Sequence, residues 1–153
     1  MATFWRISNH ADLSGRGGRI ASSRWHTKGS RIVFLAESPA AAMLETLVHL
    51  EYDVEDFPDD FKLLKVAAPE DMKIHVIDLS AISDWENKPE MSRELGDQWL
   101  AQCETALARV PSVLVPFAWN VLLNPEHPNA EQVKIESVSR QRFDSRLFRF
   151  GKR

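Results

Sequence analysis

RIVFLAESPAAAMLETLVHL, residues 31–50, joins the two kinds of secondary structure from which the fold is built. Its first part, Arg31–Ala36, is a continuous apolar run of strand length, which predicts a buried strand. Ser38 then offers an N-cap hydroxyl, and Pro39 has the fixed φ that suits a first helical position. Ala40–Leu50 places six apolar residues on one broad face: Ala40, Met43, Leu44, Leu47, Val48 and Leu50. This spacing predicts a helix directly after the strand.

Further strand-like runs lie on both sides of this unit. The predicted strands are Thr3–Ser8, Phe61–Val66, Met72–Leu79, Ser112–Pro116 and Gln132–Ser139, and the tail RFDSRLFRF (142–150) is a candidate for one more. The stretch Leu13–Ser23 holds three of the six glycines and is predicted to be a flexible loop. Residues 121–128 end in turn chemistry.

A second helix is predicted to begin at Pro89. In it Leu95, Trp99, Cys103 and Leu107 fall four residues apart on one stripe, and Cys103 is interpreted as small core filler. The order of strand, strand, helix, several strands, long helix and strands favours the α+β class over a regular βαβ series. Without an internal repeat or linker, the sequence predicts one compact domain, 1–153, with a mixed sheet and flanking helices.

Composition narrows the functional classes. The chain has 153 residues and a net charge of −3, with 44% hydrophobic and 27% charged residues, a balance typical of a soluble globular protein. No run approaches the roughly 18 apolar residues of a membrane span. The N-terminus lacks a signal-peptide layout, so we expect a cytoplasmic protein. The single cysteine excludes an internal disulfide, and the mild acidity disfavours direct nucleic-acid binding.

Charge is unevenly distributed along the chain. Residues 1–35 carry six basic side chains and one acidic one, whereas residues 36–60 carry eight acidic side chains and no Lys or Arg. A basic front segment is able to hold an anionic ligand, because clustered cations focus a local field whatever the net charge. Ordinary solvated surface is the alternative interpretation.

Several familiar sites are disfavoured. Gly15-Arg16-Gly17-Gly18 lacks the dinucleotide fingerprint and is not followed by a P-loop Lys-Ser/Thr. The five histidines form no pair at i,i+4 spacing, so no metal site is predicted. Ser112 lies in Val-Pro-Ser-Val and not in a Gly-x-Ser-x-Gly elbow; its hydroxyl is suited either to a ligand or to a neighbouring backbone group.

Two positions stand out as candidates for chemistry. Glu45 lies among apolar helix residues, where a carboxylate is costly unless it is paired or partly wet, and such a group is able to act on a substrate hydroxyl. Alternatively, Glu45 lies on a polar face with His49, one turn on. Arg24-Trp25 sets a guanidinium beside an aromatic face, which suits a phosphate and a stacked ring, or else edges the core.

These pieces occur in an order that resembles the RES domain family. The front half of the resemblance is SRWH (23–26) with Gly29, VFLAESP (33–39) and ETLVHL (45–50). The back half is VPS (110–112) and NVLLNPEHP (120–128). The arginine, glutamate and serine that name the family map to Arg24, Glu45 and Ser112. The match spans almost the whole chain, and the combination of separated motifs is specific although no single motif is.

The resemblance implies a fold like that of ADP-ribosyltransferases and the toxin half of a RES–Xre toxin–antitoxin pair. It implies NAD as the consumed substrate, cleaved at the nicotinamide–ribose bond by hydrolysis or phosphorolysis, with no metal. Arg24 would grip the phosphates or neighbouring ribose, Glu45 would be the central catalytic carboxylate, and Ser112 would help hold the nicotinamide end. Two departures stand out, since Phe34 lacks the hydroxyl of the family's common tyrosine and Ser23 replaces a frequent glycine.

The wider set of residues expected to bind NAD is Arg24, Trp25, Phe34, Arg6, Asn120 and His127. For Asn120 and His127 a structural role and a place beside the substrate are equally open. A protein ADP-ribosyltransferase and a non-enzymatic binding module with a degenerate pocket are the alternative functions.

A partner is also implied by the resemblance. It would be a helix-turn-helix antitoxin of the Xre type, and a toxin homodimer within that complex is an open alternative. The acidic stretch Glu51–Asp60 either contacts such a partner or is a solvated loop.

Overall fold

The computed structural model describes residues 1–49 and 59–148. Within them the chain forms seven strands and two α-helices. The strands are β1 Ala2–Ser8, β2 Val33–Ala36, β3 Asp60–Ala68, β4 Ile74–Val76, β5 Leu107–Pro111, β6 Trp119–Leu123 and β7 Lys134–Arg142. The helices are α1 Pro39–His49 and α2 Pro89–Gln102. Residues 50–58 and 149–153 lie outside the described part, and with them the predicted end of the first helix at Leu50, most of the acidic stretch Glu51–Asp60 and the last two residues of the predicted tail strand.

The seven strands form one sheet in the order β4-β5-β6-β2-β1-β3-β7. Only the β4–β5 pair is parallel, and every other neighbouring pair is antiparallel. A mixed sheet with helices outside a regular βαβ series confirms the predicted α+β class.

Each face of the sheet carries its own core cluster. The first cluster is Phe4, Val33, Leu35, Leu64, Val66, Ala68, Ala106, Leu107, Val121, Leu123 and Val133. The second is Trp25, Ile32, Ile77, Leu79, Trp99, Ala108, Val110 and Leu122. Because successive strand residues point to opposite faces, Leu122 belongs to the second cluster while its neighbours Val121 and Leu123 belong to the first. This alternation shows which face any strand residue occupies.

Helix α1 begins as its sequence predicts. The amide of Ala41 donates to the Ser38 hydroxyl at 3.0 Å, and Pro39 is the first helical residue. The predicted apolar face is wrong in part, because Leu44 and Val48 are 38% and 54% exposed while Ala42 is buried. The first strand of this unit also differs, since Phe34 is 42% exposed.

Helix α2 is shorter than its apolar stripe suggested. Cys103 has φ 52°, a left-handed conformation that ends the helix at Gln102, and Leu107 already lies in β5. Cys103 is half-buried, and its Sγ accepts a hydrogen bond of 3.6 Å from Nδ2 of Asn124. Neither α1 nor α2 is long and apolar enough to cross a membrane in the part of the chain described.

Three further segments depart from the predicted elements. The strand predicted over Ser112–Pro116 lies earlier, at Leu107–Pro111, because the Ser112 hydroxyl accepts backbone amides and turns the chain. In the described part of the tail, 142–148, the chain forms a 3-10 turn at Ser145–Phe148 where a strand was predicted. The predicted loop near the N-terminus contains a 3-10 turn at Arg16–Arg19.

Candidate active site

The centre of the site is the carboxylate of Glu45, whose side chain is 30% exposed. Its Oε1 accepts a 2.9 Å hydrogen bond from Nδ2 of Asn120 and a longer one, 3.5 Å, from the hydroxyl of Ser112. Its Oε2 lies 3.8 Å from Nε2 of His49, one helical turn on. The structure therefore brings together three residues that the family resemblance singled out, Glu45, Ser112 and Asn120.

The topology explains this meeting. Ser112 directly follows β5, Asn120 lies near the start of β6, and the chain enters α1 three residues after the end of β2. Asn120 is paired with Ala36 of β2 on one side and with Val110 of β5 on the other. All three segments reach the same end of the sheet, so residues up to 75 positions apart come into contact.

The segment Arg24-Trp25 is held by α2. The Arg24 carbonyl accepts a 2.7 Å hydrogen bond from the hydroxyl of Ser92, which is buried. Gly96 lies so close to Trp25 that a Cβ on it would overlap the Trp25 carbonyl oxygen. Nη1 of Arg24 donates to the carbonyl of Glu86 at 2.7 Å. Within the described residues Arg24 has no carboxylate partner, which leaves its charge available to an anion.

Ser23 and His26 brace the same segment. Nε2 of His26 donates to the Gly18 carbonyl at 3.0 Å, so Nδ1 is the acceptor for the Ser23 hydroxyl. The Ser23 oxygen in turn accepts the backbone amide of Trp25 at 3.2 Å. Ser23 thus has a structural role at the position where a glycine is frequent in the family that the sequence resembles.

Trp25, Phe34 and the Glu45 cluster lie on one face of the sheet. Trp25 belongs to the second core cluster, which also contains Val110, the residue directly opposite Asn120. Phe34 pairs with Leu122 of the same cluster. Trp25 is only 5% exposed and packs 6.1 Å from the ring of Trp85, so it occupies a core position, whereas Phe34 is open to solvent.

Arg6 and His127 are not brought to this cluster by any described contact. Arg6 lies opposite Leu64, a member of the first core cluster, and therefore points to the other face. Its Nη1 donates to the Asp12 carbonyl at 2.8 Å, and burial lowers the pKa of the Arg6 guanidinium. His127 lies beyond the far end of β6, where its Nδ1 accepts the Asn129 amide and starts a 3-10 turn. Their expected roles in ligand binding stay predictions.

The arrangement offers a negative group, Glu45, and an exposed ring, Phe34, on one face of the sheet, and Arg24 adds a positive group on the segment that packs against this face through Trp25. No group of three or more His, Cys, Asp or Glu within residues 1–49 and 59–148 is arranged to hold a metal ion.

The sequence did not indicate three residues that position Arg24 and Trp25, namely Ser92, Glu86 and Gly96. A glycine inside a predicted helix was the available signal, since it costs about 1 kcal/mol and usually has a packing reason.

Comparison with known proteins identifies the family. The RES domain family model matches residues 3–146. A protein of Pseudomonas putida named "Toxin Res" is 46% identical over 145 residues, which cover 94% of this chain and 98% of that protein. A Sphingobium protein named "Prs ADP-ribosylating toxin" is 37% identical over 165 residues, covering 96% of this chain and 97% of its own.

The fold also has a solved counterpart. The crystal structure of the M. tuberculosis MbcT–MbcA toxin–antitoxin complex contains a chain that superposes with a TM-score of 0.72 at 16% sequence identity. The match covers 96% of this chain and 86% of that one. At this identity the likeness concerns the fold, and it agrees with the family match along nearly the entire sequence. The chain therefore belongs to the RES domain family.

Proposed function

We propose that this chain is the toxin of a toxin–antitoxin pair and that it cleaves the bond between nicotinamide and ribose in NAD. The observation that carries the proposal is the half-buried Glu45 carboxylate held by Asn120 and Ser112, with Arg24 on a segment that packs against the same face of the sheet through Trp25. The names of the two relatives, "Toxin Res" and "Prs ADP-ribosylating toxin", support a toxic activity of this kind.

The chemistry fits a carboxylate without a strong general acid. When the bond between ribose C1′ and the cationic nicotinamide nitrogen breaks, the electron pair leaves with a neutral nicotinamide. The ribose acquires positive charge resembling an oxocarbenium ion, which the negative charge of Glu45 stabilises, as carboxylates do in glycosidases. Water or phosphate then forms a bond to C1′ and releases a proton, so NAD and water give nicotinamide, ADP-ribose and H⁺.

The remaining groups suit the rest of an anionic dinucleotide. Arg24 carries a guanidinium that no carboxylate in the described residues neutralises, and a guanidinium binds phosphate oxygens through two parallel hydrogen bonds. Phe34 presents an exposed ring on the same face, on which a nicotinamide or adenine ring is able to stack. Trp25 contributes by packing beneath this region and not by an open ring surface.

The direct test uses purified chain, separated from its partner, and NAD with and without phosphate. Release of nicotinamide by the wild-type chain is expected, and the isosteric variant Glu45→Gln should lose at least a hundredfold in kcat because the charge is removed. Glu131→Gln, an exposed glutamate far along the chain, is the matched control and should behave like wild type. NAD that stays intact under both conditions, with Glu45→Gln equally inert, would contradict the proposal.

Protein ADP-ribosylation is the second candidate, favoured by the name of the Sphingobium relative. The same bond breaks, but a side chain of a target protein replaces water at C1′. NAD labelled in the adenosine half should then mark macromolecules in a cell extract. Label found only in ADP-ribose or ADP-ribose phosphate rejects this candidate in favour of hydrolysis or phosphorolysis. Ligand binding without any turnover indicates the binding module instead.

We also propose that an antitoxin of the Xre type, with a helix-turn-helix, binds this chain. The structural counterpart is itself a toxin–antitoxin complex, which supports a protein partner of that function. Co-expression with the product of the neighbouring reading frame, followed by light scattering after size exclusion, measures the stoichiometry and any toxin homodimer. Failure of the neighbouring product to bind this chain or to relieve growth inhibition would overturn the assignment of the partner.

A further inference from the structure

The two oxygens of Glu45 have different surroundings. Oε1 accepts from Asn120 at 2.9 Å and from Ser112 at 3.5 Å, so protein donors occupy it. Among the described residues, the ion-pair partner of Oε2 within 4 Å is the imidazole of His49, whose Nε2 lies 3.8 Å away. The His49 side chain is 77% exposed and the Glu45 side chain is 30% exposed, so this contact lies at the surface of the site. One oxygen is therefore committed to the fold and the other is available.

Ser112 has no free hydrogen-bonding position. A serine hydroxyl has one proton to donate and two lone pairs that accept. Its oxygen accepts the backbone amides of Leu114 at 3.1 Å and Val115 at 3.2 Å, and its proton points to Oε1 of Glu45. The hydroxyl therefore has protein partners for its proton and for both lone pairs, and the longest of these contacts is the 3.5 Å one to Glu45.

Asn120 is a rigid donor. Its backbone is paired with Ala36 of β2 and Val110 of β5, so strands lie on both sides of it. Glu45, by contrast, lies on a helix, and its carboxylate is joined to the backbone by three rotatable bonds. A hydrogen bond from the sheet to the helix removes the rotation that would otherwise let the two oxygens exchange places.

We propose that Asn120 and Ser112 are positioning residues, which hold Oε1 of Glu45 so that Oε2 alone meets the substrate. The inference rests on the proposed NAD cleavage, because it concerns how the carboxylate of that reaction is aimed. Catalysis by a charged group depends on its orientation before the reaction, and a carboxylate that rotates loses part of this advantage. Neither residue touches the substrate in this arrangement.

The kinetic test separates positioning from substrate binding. Asn120→Ala should lower kcat for nicotinamide release about tenfold or more and leave KM for NAD within about twofold. Asn120→Asp has the same shape but presents an acceptor to Oε1, so it should lose as much, whereas a role in packing alone would leave it active. Ser112→Ala should show the same kcat loss, and Ser112→Thr, which keeps the hydroxyl, should recover it. Asn9→Ala, an exposed asparagine, is the control.

The result that overturns the proposal is a rise in KM with unchanged kcat, since that indicates contact with the substrate. A crystal structure of Asn120→Asp gives a readout that does not depend on activity: the Glu45 carboxylate should turn away from its wild-type orientation, and an unmoved carboxylate also overturns the proposal. Should wild-type chain release no nicotinamide, the proposed reaction fails while the crystallographic result still decides whether Asn120 positions Glu45.

Discussion

Gly96 of α2 lies directly against the backbone carbonyl of Trp25, and no side chain larger than hydrogen fits between them. The close approach lets Ser92, one turn earlier, reach the Arg24 carbonyl with its hydroxyl. Helix α2 therefore presses the Arg24-Trp25 segment against the second core cluster. The position of the proposed phosphate-binding arginine depends on a glycine about 70 residues away in sequence.

Gly96→Ala should destabilise the protein. The added methyl group forces α2 away from Trp25, and overpacking of this kind costs about 1–3 kcal/mol. For a chain of this size we expect the Tm to fall by roughly 2–12 °C, measured by differential scanning calorimetry. Gly17→Ala is the control, because nothing lies within 4 Å of a Cβ there and its Tm should stay close to wild type. Equal Tm values for the two variants would refute the close-packing argument.

Arg24→Gln should weaken binding of NAD more than it slows the reaction. Hydrogen bonds to a charged group contribute about 1.5–3 kcal/mol, so KM should rise about tenfold to a hundredfold. Titration calorimetry with ADP-ribose measures the same loss without turnover. Arg140→Gln removes an exposed arginine of β7 that pairs with Asp60 of β3, and it should leave both quantities unchanged. An unaltered affinity in Arg24→Gln would count against its role as the anion contact.

Phe117→Gly should raise stability. Phe117 has φ 67° and is fully exposed, so its ring stabilises nothing in the described chain while its backbone has a left-handed conformation. That conformation costs about 1–2 kcal/mol for a residue with a Cβ, partly offset by the greater unfolded-state freedom of glycine. The net gain should raise Tm by about 1–4 °C. Phe117→Ala removes the ring without relieving the backbone and should leave Tm unchanged; a gain there would mean that the ring itself is unfavourable.

The Asp12 carboxylate should make stability depend weakly on pH. Hydrogen bonds from the Ser14 hydroxyl and amide lower the pKa of Asp12 below its ordinary range. A carboxyl with a lowered folded-state pKa adds stability above its unfolded pKa of about 4, and this is lost as the pH falls through the folded value. Asp12→Asn should therefore cost less than about 1 kcal/mol at pH 7, because the group is exposed, and progressively less towards pH 3. Urea unfolding at pH 7 and pH 3 measures the difference in unfolding free energy between wild type and Asp12→Asn. Asp71→Asn is the control. A difference that does not change with pH, or that Asp71→Asn shows equally, would contradict the prediction.

Local sequence signals predicted the start of α1 well and its buried side poorly. Ser38 and Pro39 act through their immediate neighbours, so their effect is visible in the sequence. Whether Leu44 and Val48 are buried depends on what packs against the helix. In the structure both are exposed, and Ala42 is the buried residue of α1. Cys103 shows the same limit: the four-residue spacing continues past the point at which its left-handed backbone ends α2.

The candidate site divides in the same way. The sequence identified Arg24, Glu45, Ser112 and Asn120 through motif order, and the structure brings Glu45, Ser112 and Asn120 into contact. The sequence alone could not show that Trp25 is buried or that Arg6 points to the opposite face, because both depend on how distant segments pair and pack.

By itself, then, the sequence determined the α+β class, the family and the capped helix that carries Glu45, because periodicity, capping and motif order are local or linear properties. Only the tertiary structure decided which face each side chain occupies and that Asn120 and Ser112 both reach Oε1 of Glu45. Those contacts join residues up to 75 positions apart, and the order of strands across the sheet, which no local preference encodes, brings them together.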